Sequence, residues 1–97
     1  MVDNEDLTSF RVRIEGFVQA VGFRNFIILE AKKLELDGWV RNRSDGTVEA
    51  LISGGTKAVE SFVAACMQGP EGCLVKHIDL ENTEPPAEKG FHRRPSI

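Results

Sequence analysis

Residues 10–36, FRVRIEGFVQAVGFRNFIILEAKKLEL, change their apolar period part-way along, and that change decides the fold. Phe10, Val12 and Ile14 alternate with Arg11, Arg13 and Glu15, the period-two pattern of a strand with one buried face. Gly16 is expected to end that strand and residues 17–22 to form a short loop. From Phe23 the apolar positions Phe23, Ile27, Ala31 and Leu34 follow a helical period, with Phe26 beside them. This is the stripe of a helix packed on a core, and Glu30, Lys32, Lys33 and Glu35 supply its polar side. The helix is expected to stop near Glu35, ahead of Asp37 and Gly38.

Downstream, Gly38 to Arg43 reads as a second strand and Ser44-Asp45-Gly46 as a hairpin turn, because Asp and Gly tolerate the left-handed backbone of tight turns. Thr47 to Ser53 reads as a third strand with Val48, Ala50 and Ile52 on one face. Gly54-Gly55 is expected to break it, and the Thr56 hydroxyl to cap a second helix. The stripe of that helix is Val59, Phe62, Val63, Cys66 and Met67, and Gly69-Pro70 stops it. Leu74 to Glu81 reads as a fourth strand. Its apolar residues Val75, Ile78 and Leu80 break strict alternation, which leaves room for a bulge. Residues 82–90, with Pro85-Pro86, form a loop. Phe91 to Arg94 is an optional fifth strand that looks weak, since Pro95 limits its extension. The order strand, helix, strand, strand, helix, strand implies an α+β sandwich of the ferredoxin-like βαββαβ type. Its sheet is expected to be antiparallel, with four to five strands and both helices on one face. Residues 1–7 are expected to be a flexible N-terminus and residues 8–97 one domain.

The formal net charge of -3 argues against a general nucleic-acid binder, although a local cationic pocket is compatible with it. No run approaches the ~18 apolar residues of a membrane span, and the acidic start of the chain does not resemble a secretory signal. Cys66 and Cys73 are not in a C-x-x-C arrangement and read as reduced, inert thiols. The expectation is a cytoplasmic monomer with neither nucleic-acid nor membrane partners.

The segment Gly16-Phe17-Val18-Gln19-Ala20-Val21-Gly22-Phe23-Arg24 joins a strand to a helix. The first amides of a helix have no partner within it, so a turn here directs several N–H groups into one space, and the helix dipole favours an anion there. Arg24 lies in the first helical turn, where a guanidinium can meet two phosphate oxygens at once. The same residues also fit a plain tight turn followed by a solvated arginine, and the pattern is neither a Walker A loop nor a dinucleotide fingerprint.

Residues 16–24, as Gly-x-Val-Gln-x-Val-Gly-Phe-Arg, closely resemble the acylphosphatase signature. A second motif of that family resembles Gly38-Trp39-Val40-Arg41-Asn42 followed by Asp45-Gly46-Thr47-Val48-Glu49. Both occur in the family's order and spacing, and the similarity runs from about Phe10 to about Leu80. The resemblance implies a metal-independent enzyme that hydrolyses the carboxyl–phosphate bond of small acyl phosphates and needs no cofactor. It implies that Arg24 and the backbone N–H groups of Phe17, Val18, Gln19, Ala20 and Val21 hold the phosphate, a site that free phosphate or sulfate would also occupy. It implies that Asn42 orients the attacking water, with the substrate's own phosphate taking the proton. An arginine with fixed amides suits the charge on the equatorial oxygens of phosphoryl transfer, and an amide side chain can hold water through its donor and acceptor.

The chain departs from the family pattern twice. Alanine stands at position 20, where the family usually has glycine, and the expectation is a backbone there with φ < 0. Gly90-Phe91 matches the family's ending, but Arg93 stands where an aliphatic residue is usual, and Arg93-Arg94 read as solvated charge. Trp39 either packs in the core or walls the site. Alternation puts Arg41 and Arg43 on the sheet face opposite Asn42, in solvated or ion-paired roles. His77 and His92 lie outside both motifs and read as structural or exposed. A regulatory module of this fold would lack Arg24 or Asn42. An RRM-type RNA binder would need an RNP1 pattern, and a metal carrier a paired-cysteine loop; neither is present.

Overall fold

The computed structural model describes residues 6–19 and 22–97. The expectations for residues 1–5, and for the backbone at Ala20 and Val21, lie outside that set. The elements in chain order are β1 (Leu7–Phe17), α1 (Phe23–Lys33), β2 (Asp37–Asn42), β3 (Val48–Gly55), α2 (Thr56–Gln68), β4 (Leu74–Asn82) and β5 (Phe91–Arg93). The strands form one sheet in the order β4-β1-β3-β2-β5.

Pairing follows the alternation. Phe10 faces Ile52, Val12 faces Ala50 and Ile14 faces Val48 across β1 and β3, while Val40 faces Ala50 and Asn42 faces Val48 across β2 and β3. These side chains share one face of the sheet. Phe23, Ile27 and Ala31 of α1 and Val59, Phe62 and Cys66 of α2 close over that face in a single buried cluster. Both helices therefore cover the same side, as the βαββαβ order requires. Burial pushes the Cys66 thiol up to about 12, with Glu30 acting in the same direction, so it packs as a small apolar group.

The expectation of a purely antiparallel sheet is corrected at one edge, because β5 pairs with β2 in parallel and the sheet is mixed. The chain's path explains it. Strand β4 runs antiparallel to β1 on one edge and so finishes at the end of the sheet where β2 begins. Residues 83–90 carry the chain to the opposite edge, and from there it can only run in the direction of β2. Pro95 does not stop the pairing either. Arg94 N–H donates to the Val40 carbonyl at 2.9 Å, and beyond the proline Ile97 N–H donates to the Asn42 carbonyl at 3.1 Å.

Most strand ends shift by a residue or two from expectation, and three expected breaks or caps are corrected. Gly16 does not end β1, which runs to Phe17 across a bulge. Glu15 faces His77 but Gly16 faces Val75, leaving Lys76 as the extra residue. Gly16 has φ 136°, and a Cβ there would meet the Leu74 carbonyl oxygen at 2.1 Å, so only glycine fits. Gly54 and Gly55 do not break β3 but pair with Thr8 and Leu7, and the Leu36 side chain fills the space where a Gly54 Cβ would lie. Thr56 does not cap α2. Its hydroxyl bonds Thr8 Oγ1 at 2.7 Å and the Asp6 carbonyl at 3.1 Å, tying the helix start to the head of β1.

Helix α1 does stop where expected, by hydrogen bonding. Glu35 N–H donates to the Lys32 carbonyl and Leu36 N–H to the Ala31 carbonyl, with Glu35 left-handed at φ 59°. This is a Schellman ending in which a glutamate takes the place favoured by glycine, and Leu36 is buried just beyond it.

The uncovered face of the sheet is built from charge. Glu49, 1% exposed, accepts from Arg41 Nε and Arg43 Nη1 at 2.9 Å each, and Arg11 Nη1 lies 3.6 Å from its other oxygen. Burial acts to raise the Glu49 carboxyl, but hydrogen bonds and charge from Arg41 and Arg43 outweigh it and hold the group below its ordinary range. The pairing therefore stabilises the fold fully above the ordinary value of 4.5 and is lost as pH falls below it. Glu49→Gln leaves two guanidiniums against a neutral amide and is expected to lower the unfolding free energy near neutral pH by about 2 kcal/mol. The same change should flatten the acid limb of the stability profile. Urea melts of both proteins across the acid range check this, and parallel acid limbs would remove Glu49 from the acid response.

Candidate functional site

The topology gathers the motif residues at one end of the sheet. Strands β1, β2 and β5 all finish there and α1 begins there, so Val18, Gln19, Gly22, Arg24, Asn42 and Arg93 converge. They surround a concavity of about 270 Å³ lined by Val18, Gln19, Gly22, Arg24, Asn25, Asn42 and Arg93.

The loop is pinned from two sides. Val18 is buried in the main core cluster. The Gln19 side-chain amide donates to the Arg43 carbonyl at 2.7 Å and to the Thr47 carbonyl at 2.8 Å. Both partners are acceptors, which fixes the nitrogen toward them and uses both of its hydrogens. Gln19 thus staples the loop to the hairpin that carries Asn42. Gly22, with φ 93°, turns the chain into α1, and no side chain caps the helix. The first-turn amides keep their donors for a ligand, and no acidic residue lies in that turn to compete.

Arg24 is half-buried and makes no ion pair among the described residues. Asn42, the last residue of β2, projects from the helix-covered face, in line with Val48 and Ile14. Its Oδ1 is buried and has no hydrogen-bond partner among the described residues. A buried acceptor without a donor is costly, and here it borders the cavity, so it suits a ligand or a held water. None of the lining residues among those described is His, Asp or Glu, so they offer the cavity no side-chain base.

A family model described as Acylphosphatase matches residues 10–93. The chain belongs to the acylphosphatase family. The acylphosphatase of Acidiphilium cryptum (strain JF-5) is 49% identical over 81 residues, covering 84% of this chain and 89% of the relative. That of Rhizorhabdus wittichii is 40% identical over 95 residues, covering 98% of this chain and 96% of the relative. The crystal structure of acylphosphatase from Bacillus subtilis matches with a TM-score of 0.84 at 38% identity, covering 92% of this chain and 99% of that one. The chain is thus an acylphosphatase-type hydrolase acting on the carboxyl–phosphate bond of acyl phosphates, as the two sequence motifs implied.

Of the residues singled out from the acylphosphatase motifs, Arg24, Asn42, Val18 and Gln19 share the cavity wall. Phe17 is the last residue of β1, opposite Leu74, and does not line the cavity; Ala20 and Val21 lie outside the described residues. Trp39 does not wall the site. It lies on the uncovered face of the sheet, 8% exposed, with the Arg41 and Arg94 guanidiniums 4.7 and 5.1 Å from its ring centroid. His77 bonds Asp79 and His92 bonds the Lys89 carbonyl; neither lines the cavity. Two lining residues, Asn25 and Arg93, were not drawn from the motifs. Arg93 carries a signal in the sequence, its departure from an aliphatic position, and it lines the cavity rather than serving only as solvated charge. Among the described residues, no helix is long and apolar enough to cross a membrane.

Proposed function

We propose that Arg24 and the N–H groups of residues 18–21 bind the phosphoryl group of an acyl phosphate, and that Asn42 holds the attacking water. The observation that carries this reading is the buried Asn42 Oδ1, without a hydrogen-bond partner among the described residues, on the same cavity as Arg24. Oδ1 accepts one water O–H and turns an oxygen lone pair toward phosphorus. A new P–O bond forms as the bond to the acyl oxygen breaks, and its electron pair leaves with the carboxylate. The water's proton passes to a phosphoryl oxygen, since the described residues of the cavity wall include no side-chain base. Negative charge on the equatorial oxygens is met by the Arg24 fork and the unpaired amides at the start of α1, which are fixed before substrate arrives.

The reaction in this reading requires no metal or cofactor, because arginine and main-chain donors do the work of a cation. The catalytic unit in this reading is the 8–97 domain together with Leu7, which pairs with Gly55 at the head of β1, acting as a cytoplasmic monomer on a small acyl phosphate, with no nucleic-acid or membrane partner. Free phosphate and sulfate compete for the same donors. The deciding experiment is hydrolysis of benzoyl phosphate by purified protein in excess chelator. Turnover that inorganic phosphate inhibits is the expected result. Turnover that the chelator abolishes would overturn the metal-free mechanism.

A further inference from the structure

Among the described residues, two fixed positive charges and no carboxylate line the cavity. Arg24 is half-buried in the first turn of α1, beside the unpaired amides. Arg93 is exposed at the rim, brought there by the edge strand β5, and its Nη2 donates to Oδ1 of Asn25 on α1. A guanidinium has several N–H donors in a rigid fork, and this contact tethers it to α1 while engaging few of them. Arg93 makes no ion pair among the described residues, and nothing there neutralises it.

A phosphoryl group does not account for this second charge. Its oxygens are already served by Arg24 and the amides, and they fill part of a space of about 270 Å³, where one water takes ~30 Å³ of the liquid. The remaining volume belongs to the acyl part, and Arg93 stands at its mouth. Resting on the reading that this cavity holds an acyl phosphate, we infer that Arg93 is a specificity-determining residue that selects acyl groups bearing a distal carboxylate. A planar carboxylate matches the guanidinium fork with two parallel hydrogen bonds, whereas a neutral acyl group leaves Arg93 to water.

The test compares kcat/KM for benzoyl phosphate with that for its 3-carboxy and 4-carboxy derivatives, in the wild type and in Arg93→Gln and Arg93→Lys. The wild type is expected to prefer at least one carboxy derivative. That preference ratio should fall about tenfold in Arg93→Gln, the scale of one charge-assisted contact at a partly solvated site. Arg93→Lys should recover part of the ratio, and added salt should shrink it in the wild type. A ratio that Arg93→Gln leaves unchanged would overturn the inference. So would equal losses on all three substrates, which would place Arg93 on the phosphoryl group. Failure of the wild type to hydrolyse any of the three would overturn the underlying reading, and is distinguishable because it precedes any comparison with the variants.

Discussion

Arg24→Ala is expected to lower kcat/KM for benzoyl phosphate by about a thousand-fold or more, the range seen when a transition-state donor or a charged phosphoryl contact is removed. Inorganic phosphate, as a competitive inhibitor, should weaken by about a hundred-fold, since a charged fork is lost from a small cavity. The two effects belong together. Phosphate samples the ground-state dianion, while turnover also samples the charge that develops as the acyl oxygen departs, so the second loss should exceed the first. Arg24 is half-buried on a helix whose core stripe is Phe23, Ile27 and Ala31, so its removal should leave the thermal midpoint nearly unchanged. Arg24→Lys should restore the charge but not the two-pronged geometry, and so recover only part of the activity. Phosphate inhibition that survives Arg24→Ala at full strength would remove this residue from the anion site.

The core was legible because its signals are local. Alternation at Phe10, Val12 and Ile14, and the change of period at Phe23, follow from backbone geometry within a few residues. The bulge opposite Gly16 was legible in the uneven spacing of Val75, Ile78 and Leu80. What the sequence did not yield depends on distant partners. The direction of β5 is set by where β4 releases the chain, and Phe91 carries no mark of it. Gly54-Gly55 reads as a breaker until Leu36 and the start of β1 are seen to fill the space beside it. Thr56 has the chemistry of a cap, but Thr8 and the Asp6 carbonyl compete for its hydroxyl from across the sheet. The site divides in the same way. Arg24 and Asn42 were found through motifs, and alternation alone placed Arg41 and Arg43 on the far face, where Glu49 pairs them. Arg93 meets Asn25 only after the chain has crossed the whole sheet, so no local pattern could bring the two together.

Asn42→Ala should give the opposite kinetic signature to Arg24→Ala. The variant is expected to bind phosphate within about threefold of wild type, because the amides and Arg24 remain. Its kcat should fall by about a thousand-fold, as a nucleophile held in line reverts to one that must be captured from solvent. The substitution also removes a buried oxygen that has no hydrogen-bond partner among the described residues, so it relieves a polar burial cost while destroying activity. A variant that is as stable as wild type, or more so, and inactive is what a functional acceptor predicts; a structural asparagine would lose stability along with turnover. Asn42→Asp separates position from charge. It keeps the oxygen in place but sets a carboxylate against the bound dianion, so phosphate affinity should fall where Asn42→Ala spares it. Stopped-flow turnover and phosphate titration of the two variants read both effects, and an Asn42→Ala enzyme with undiminished kcat would take the water-holding role away from this side chain.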